Sequence, residues 1–121
     1  MSSFIAGVPT KILVSLKGDA KKAQWTRQGS YILQLNNVNG KPYYLQKSGL
    51  NGLWFENTYQ KWMIGPSTKL GENFGSLQSA GKILGGPIEA TGWRYWDTKT
   101  TTWFDATSQV ILSEGIWLID N

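Results

Sequence analysis

The stretch Ser30-Tyr31-Ile32-Leu33-Gln34-Leu35-Asn36-Asn37-Val38-Asn39-Gly40-Lys41-Pro42-Tyr43-Tyr44-Leu45-Gln46-Lys47 decides the fold class. Gly29 opens a predominantly apolar run from Ser30 to Leu35 that reads as a strand. Asn36 to Gly40 is dense in turn formers, and Asn39-Gly40 is a strong hairpin signal because both residues tolerate positive φ. Pro42 to Lys47 then reads as the returning strand, with Pro42 at its start, where a missing N–H does least harm.

Toward the N-terminus, Lys11-Ile12-Leu13-Val14-Ser15-Leu16, closed by Gly18-Asp19, reads as a first strand. Ala20 to Ala23 is a loop or a single helical turn, and Gln24-Trp25-Thr26-Arg27 suggests another short strand. Toward the C-terminus, Ser48-Gly49 and Asn51-Gly52 are turns. Leu53-Trp54-Phe55-Glu56 and Lys61-Trp62-Met63-Ile64 read as the arms of a hairpin with Asn57 to Gln60 at its tip, and Gly65-Pro66 stops the second arm. Ser67 to Pro87 is poorly patterned and glycine-rich. It predicts a long loop with one weak strand near Ser76-Leu77-Gln78, and long ordered loops are often functional.

Regularity returns with a hairpin of Gly92 to Asp97 and Thr102-Trp103-Phe104 around Thr98 to Thr101, followed by a strand at Gln109 to Leu112 and a last one at Gly115 to Ile119. No segment of 12 or more residues carries the i, i+3, i+4 pattern of an amphipathic helix. The expectation is an all-β fold, a small antiparallel barrel or sandwich of about eight short strands joined by tight hairpins. It would form one domain over 1–121, with its core in 10–112 and an extra strand or tail in 113–121.

One internal echo is visible. Trp54-Phe55-Glu56 is followed by Trp62, and Tyr95-Trp96-Asp97 by Trp103, at the same spacing. The copies lie a blade-length apart, but the chain is too short for the four blades that close a propeller, so they read as two similar hairpins in one domain.

Composition excludes much chemistry. The 121 residues hold no Cys and no His, which removes disulfides, thiolate nucleophiles, the commonest general base and the commonest transition-metal ligand. No Gly-x-Ser-x-Gly elbow is present. The spacings Gly71-x-x-x-Gly75 and Gly81-x-x-x-Gly85-Gly86 lack the Lys-Ser/Thr of a P-loop. Asn36-Asn37-x-Asn39 is better explained as a turn than as a calcium loop. The eight carboxylates suffice in number for glycoside hydrolysis, with Glu56 and Asp97 at equivalent points of the echoed hairpins, yet acids at strand ends are normally turn residues. The expectation is a protein that is not an enzyme and needs no cofactor.

No stretch approaches the length of a membrane helix, and Met1 to Thr10 does not have the pattern of a secretory signal. Both favour a cytoplasmic protein, although a trimmed secreted form would look the same. Twelve Lys and Arg against eight Asp and Glu leave a net charge of +4. Only Lys21-Lys22 are adjacent, and positive charge so spread argues for solubility and against nucleic acid as a partner.

The segments Asn39-Gly40-Lys41-Pro42-Tyr43-Tyr44, Leu53-Trp54-Phe55, Lys61-Trp62-Met63-Ile64-Gly65, Ala90-Thr91-Gly92-Trp93-Arg94-Tyr95-Trp96-Asp97 and Trp103 together resemble a small Trp-rich module. Its pattern is N-G-[KR]-P-x-Y, an aromatic strand, x-W-x-I-G, then G-W-x-x-W-D and a further W. The module occurs in multi-domain proteins of algae, protists and some invertebrates, singly, in tandem or beside kinase domains. The resemblance spans about Ile12 to Leu112 and implies a self-contained domain. It carries no established activity, and Gly115 to Asn121 departs from it.

The tryptophans remain. Seven Trp exceed what a core of this size requires, and an exposed Trp or Tyr offers a flat face to a ligand. Strand context assigns Trp62, Trp93 and Trp103 to the core. The period of two and nearness to hairpin tips put Trp54, Tyr59, Trp96 and Tyr44 on the surface, which with Glu56 and Asp97 make the candidate ligand-binding set. The favoured function is a non-enzymatic binding module for a protein partner. Carbohydrate binding is the alternative, and single-stranded nucleic-acid binding by a barrel with stacking aromatics the second alternative. An exposed edge such as Ile116 to Ile119 would also allow pairing between copies.

Overall fold

The computed structural model describes residues 8–115 and is a single curled antiparallel sheet. Nine strands follow in chain order: β1 (Lys11–Leu16), β2 (Gly29–Val38), β3 (Lys41–Gln46), β4 (Asn51–Glu56), β5 (Lys61–Pro66), β6 (Leu77–Gln78), β7 (Arg94–Asp97), β8 (Thr102–Asp105) and β9 (Val110–Glu114). Their order across the sheet is β8-β7-β6-β5-β4-β3-β2-β1-β9. Consecutive strands are neighbours throughout, except that β9 returns to pair with β1, where Ile12 faces Glu114 and Leu16 faces Val110.

That exception forces the curl. β8 and β9 lie at opposite edges of the sheet, yet only Ala106 to Gln109 join them. Five Cα steps reach at most about 18 Å, far less than the width of a flat sheet of nine strands spaced about 4.8 Å apart. The sheet therefore bends round until its edges approach. The joining turn is hydrogen-bonded on both sides: Ala106 N–H donates to Trp93 O at 2.9 Å and Lys17 N–H to Gln109 O at 2.8 Å.

The hairpin expected at Asn39-Gly40 is present. Both residues have positive φ, 54° and 80°, and Val38 pairs with Lys41. The register between β2 and β3 shifts between Leu33 and Asn37, a bulge that leaves Leu35 fully in solvent. The weak strand near Ser76 is β6.

Near the N-terminus the expected helical turn is longer than read, and one expected strand needs correction. The segment after β1 forms an α-helix, α1 (Gly18–Gln24), and Trp25–Arg27 is a 3₁₀ turn rather than a strand. The helix is short because it is held by the sheet rather than by its own periodicity. Gln109 Oε1 accepts the Ala20 N–H at 2.8 Å, and Gln24 Nε2 donates to Trp96 O at 2.7 Å. The last strand expected at Gly115 to Ile119 lies outside the described residues apart from Gly115.

The core fills the inside of the curl. Ile12, Val14 and Leu16 alternate inward from β1 and meet Tyr31, Leu53, Phe55, Trp62, Ile64, Leu77, Trp93, Tyr95 and Val110. Trp62 and Trp93 are core residues, as expected. Trp103 is not: it is half-buried on the opposite face of the sheet, because its partner in register, Trp96, faces outward.

The alternation rule fails at β4 and β5, where nearly every residue is buried on both faces. Trp54 was expected at the surface and is 0% exposed. Its face is turned away from the core, but the segment after β5 folds back over it. Trp54 Nε1 donates to Glu72 O at 3.0 Å. This cover depends on two glycines. A Cβ on Gly65 would meet Gly75 Cα at 2.7 Å, and one on Gly75 would meet Ile64 O at 2.9 Å. Tyr44 is likewise buried, at 1% exposure, because it faces the core and its hydroxyl donates to Pro9 O at 2.9 Å.

Trp54→Ala should thus behave as a core truncation and cost about 3–5 kcal/mol, whereas the half-buried Trp96→Ala should cost about 1 kcal/mol. Urea unfolding followed by far-ultraviolet circular dichroism measures both. Equal costs would mean that the cover over Trp54 contributes nothing.

Candidate functional site

The echoed hairpins share one construction. Each has a four-residue tip, 57–60 and 98–101, ending in a residue with positive φ, Gln60 at 57° and Thr101 at 50°. Each pairs an aromatic with the later Trp in register. Phe55 meets Trp62 at 5.4 Å and 65°, and Trp96 meets Trp103 at 5.3 Å and 64°. Each ends its first arm with an acid that closes the tip. Glu56 accepts the N–H groups of Thr58 at 2.6 Å and Tyr59 at 3.0 Å. Asp97 accepts the Lys99 N–H at 3.1 Å and the Thr100 hydroxyl at 2.9 Å. These bonds occupy both acids with their own turns, and Glu56, a candidate ligand contact, is buried at 2% exposure.

The hairpins differ in the face they show. Phe55 and Trp62 point into the core, whereas Trp96 and Trp103 point out of it, with Tyr95 taking the core position beside them. Because side chains alternate along a strand, a one-residue offset in the inward phase turns an interior aromatic pair into an exterior one.

The exterior pair lies at one end of a groove of about 1090 Å³ that crosses the outer face of β5, β6, β7 and β8. Met63, Gln78 and Arg94 share its floor, since Met63 pairs with Gln78 and Gln78 with Arg94. Tyr59, at the tip of the first hairpin, borders it and is 57% exposed. Phe74, on the segment that covers Trp54, is also exposed on the groove.

Four cations line the groove, Arg27, Lys61, Lys82 and Arg94, and no carboxylate is among its lining residues. Lys61 is the most enclosed: its Nζ donates to Gln78 Oε1 at 2.6 Å and sits 5.0 Å from the Tyr59 ring centroid. Burial lowers the Lys61 pKa, Arg94 adds to the shift and Glu56 opposes it. Arg27 is held by Asn51 Oδ1 and by Gln24 Oε1 at 3.4 Å, and desolvation lowers its pKa. Arg94 and Lys82 make no ion pair among the described residues; Asp105, in register with Arg94, instead accepts the Thr107 hydroxyl at 2.6 Å.

Of the six candidate contacts, the fold therefore brings Tyr59 and Trp96 to one groove. It buries Trp54, Tyr44 and Glu56, and leaves Asp97 closing its own turn. Arg27, Lys61, Lys82, Arg94, Phe74 and Trp103 complete the groove and carry no signal in the sequence, since 76 positions separate Arg27 from Trp103. A second hollow, of about 560 Å³, is bordered by Tyr44, Trp62 and Pro87, and has Glu89 and Glu114 beside Lys41. Among the described residues no helix is long and apolar enough to cross a membrane. In comparisons with known proteins, no family model matches the chain, and no curated protein or solved structure matches it.

Burial makes Tyr44 a stability probe. It raises the phenol from its ordinary 10 to about 12, with Glu114 and Glu89 adding to the shift. A folded-state pKa above the unfolded one stabilises fully below pH 10 and loses that contribution as pH rises through about 12. Urea unfolding between these limits should show stability falling with pH, and Tyr44→Phe, which cannot ionise, should make the decline shallower, the buried phenols of Tyr31 and Tyr95, also raised by burial, supplying the rest. An unchanged decline in the variant would place the alkaline sensitivity elsewhere.

Proposed function

We propose that the chain is a non-enzymatic binding module that takes an anionic partner into the groove on the outer face of β5 to β8. The observation that carries this reading is the set of four lining cations with no lining carboxylate. A protein with eight acids in 121 residues would ordinarily intersperse the signs, so a single-sign groove attracts counter-charge. Arg94 and Lys82 have no ion-pair partner of their own among the described residues and are free to meet a ligand. Tyr59, Phe74, Trp96 and Trp103 supply apolar area between the charges. Of the four aromatics that also suggested a sugar ligand, Trp54 and Tyr44 are buried and offer no face, which leaves Tyr59 and Trp96.

Charge reversal tests the proposal. Lys82→Glu with Arg94→Glu should lower the salt at which the protein leaves a sulfated-polysaccharide column. Lys21→Glu with Lys22→Glu alters the net charge equally, on exposed residues of α1 that do not line the groove, and should shift elution far less. Equal shifts would mean that net charge alone retains the protein, and the groove reading would fail.

A further inference from the structure

We infer that the ligand of this groove is single-stranded nucleic acid, with phosphates on its cations and bases stacked on its aromatic rings. The inference rests on the anion-binding reading above and specifies the ligand. Charge alone suits any polyanion, and the aromatic side chains are what discriminate. A single strand presents two chemistries in alternation, an anion and a flat apolar base, and proteins that hold it without sequence preference combine a basic channel with aromatic platforms. An acidic peptide or a sulfated glycan offers the anion without the repeated π-face.

The groove supplies both parts close together. Lys61 lies 5.0 Å from the Tyr59 ring, and the exposed ring of Phe74 lines the same groove. Trp96 and Trp103 meet edge to face at 64°, an arrangement in which one ring covers only a single face of the other and leaves further faces for a base. The near-parallel pair Tyr95 and Phe104, whose faces are spent on each other at 29°, lies on the other side of the same hairpin. From β5 to β8 the groove crosses three strand spacings, about 14 Å, enough for a short run of nucleotides. A duplex has no free base faces and would gain only from the charges.

Sequence order hid this arrangement. The spread of Lys and Arg along the chain argued against nucleic acid, but folding gathers Arg27, Lys61, Lys82 and Arg94 around one surface.

The test is fluorescence anisotropy of the purified chain with a labelled single-stranded thymidine oligonucleotide, across a salt series. The competitors are the same oligonucleotide as a duplex, heparin and poly-glutamate. The single strand should bind, quench tryptophan emission, and lose affinity with a log–log salt slope of up to about −3 for four phosphate contacts. Arg94→Gln should reduce that slope by about 0.7. Trp96→Ala should weaken binding by about 5- to 150-fold at an unchanged slope, and Trp96→Phe should recover part of it. Each variant is first checked for native unfolding behaviour, and Phe74→Ala, on the covering segment, serves should Trp96→Ala not fold.

If heparin or poly-glutamate displaces the strand at equal charge, and neither aromatic substitution matters, the nucleic-acid inference falls while the anion-binding reading stands. If none of the polyanions binds with a dependence on salt, both fall.

Discussion

The four residues that join β8 to β9 constrain everything else. Ala106 to Gln109 tie together the two edges of a nine-stranded sheet. A flat arrangement would tear them apart, so the sheet curls, and once it curls it has an inside and an outside. Tyr31, Tyr44, Trp62 and Trp93 fill the inside. Helix α1 takes its place against β7 in the same closure, because Gln109 in the joining turn accepts from its first turn and Gln24 at its end donates to β7. A local tether thus sets the global curvature, and its hydrogen bonds place the only α-helix among the described residues.

The outside is not uniform. Over β4 and β5 the chain folds back, so that Trp54 is buried from the solvent side and the hairpin becomes a three-layer region of core, sheet and covering segment. Gly65 and Gly75 make that cover possible by letting two backbones approach more closely than a Cβ allows. The cover ends at Phe74, and beyond it the outer face lies open as the groove. The groove is therefore bounded by packing: one wall is the segment that buries Trp54, and the other is the tip of the hairpin to which Trp54 belongs.

The two echoed hairpins show how one local design serves two ends. Both use an aromatic pair in register, a four-residue tip and an acid that accepts from the tip. In the first, the aromatic pair lies inside and strengthens the core. In the second, it lies outside and borders the groove. The acids that looked like candidate catalytic or binding groups are occupied with turn geometry in both copies. Their recurrence in the sequence marks a way of building hairpins.

What the sequence determined by itself was local. Asn39-Gly40 set a hairpin because two consecutive positive φ values are cheap only for such residues. Gly18 and Gly29 marked the end of β1 and the start of β2, whereas Asn51-Gly52 and Gly65-Pro66, read as a turn and a stop, pair with each other inside β4 and β5. Alternation set the inward face of β1. The absence of Cys and His bounded the chemistry without reference to any fold. Tertiary structure decided which outward-facing residues stayed outside. Trp54 and Trp96 carry the same local signal, an aromatic near a hairpin tip, yet one lies under a covering segment and the other beside a groove. It also decided that Arg27, Lys61, Lys82 and Arg94 share a surface. Strand alternation reports only which side of a sheet a residue faces. What stands over that side, and which distant charges meet there, is set by curvature and chain return, which depend on contacts between residues far apart in the chain.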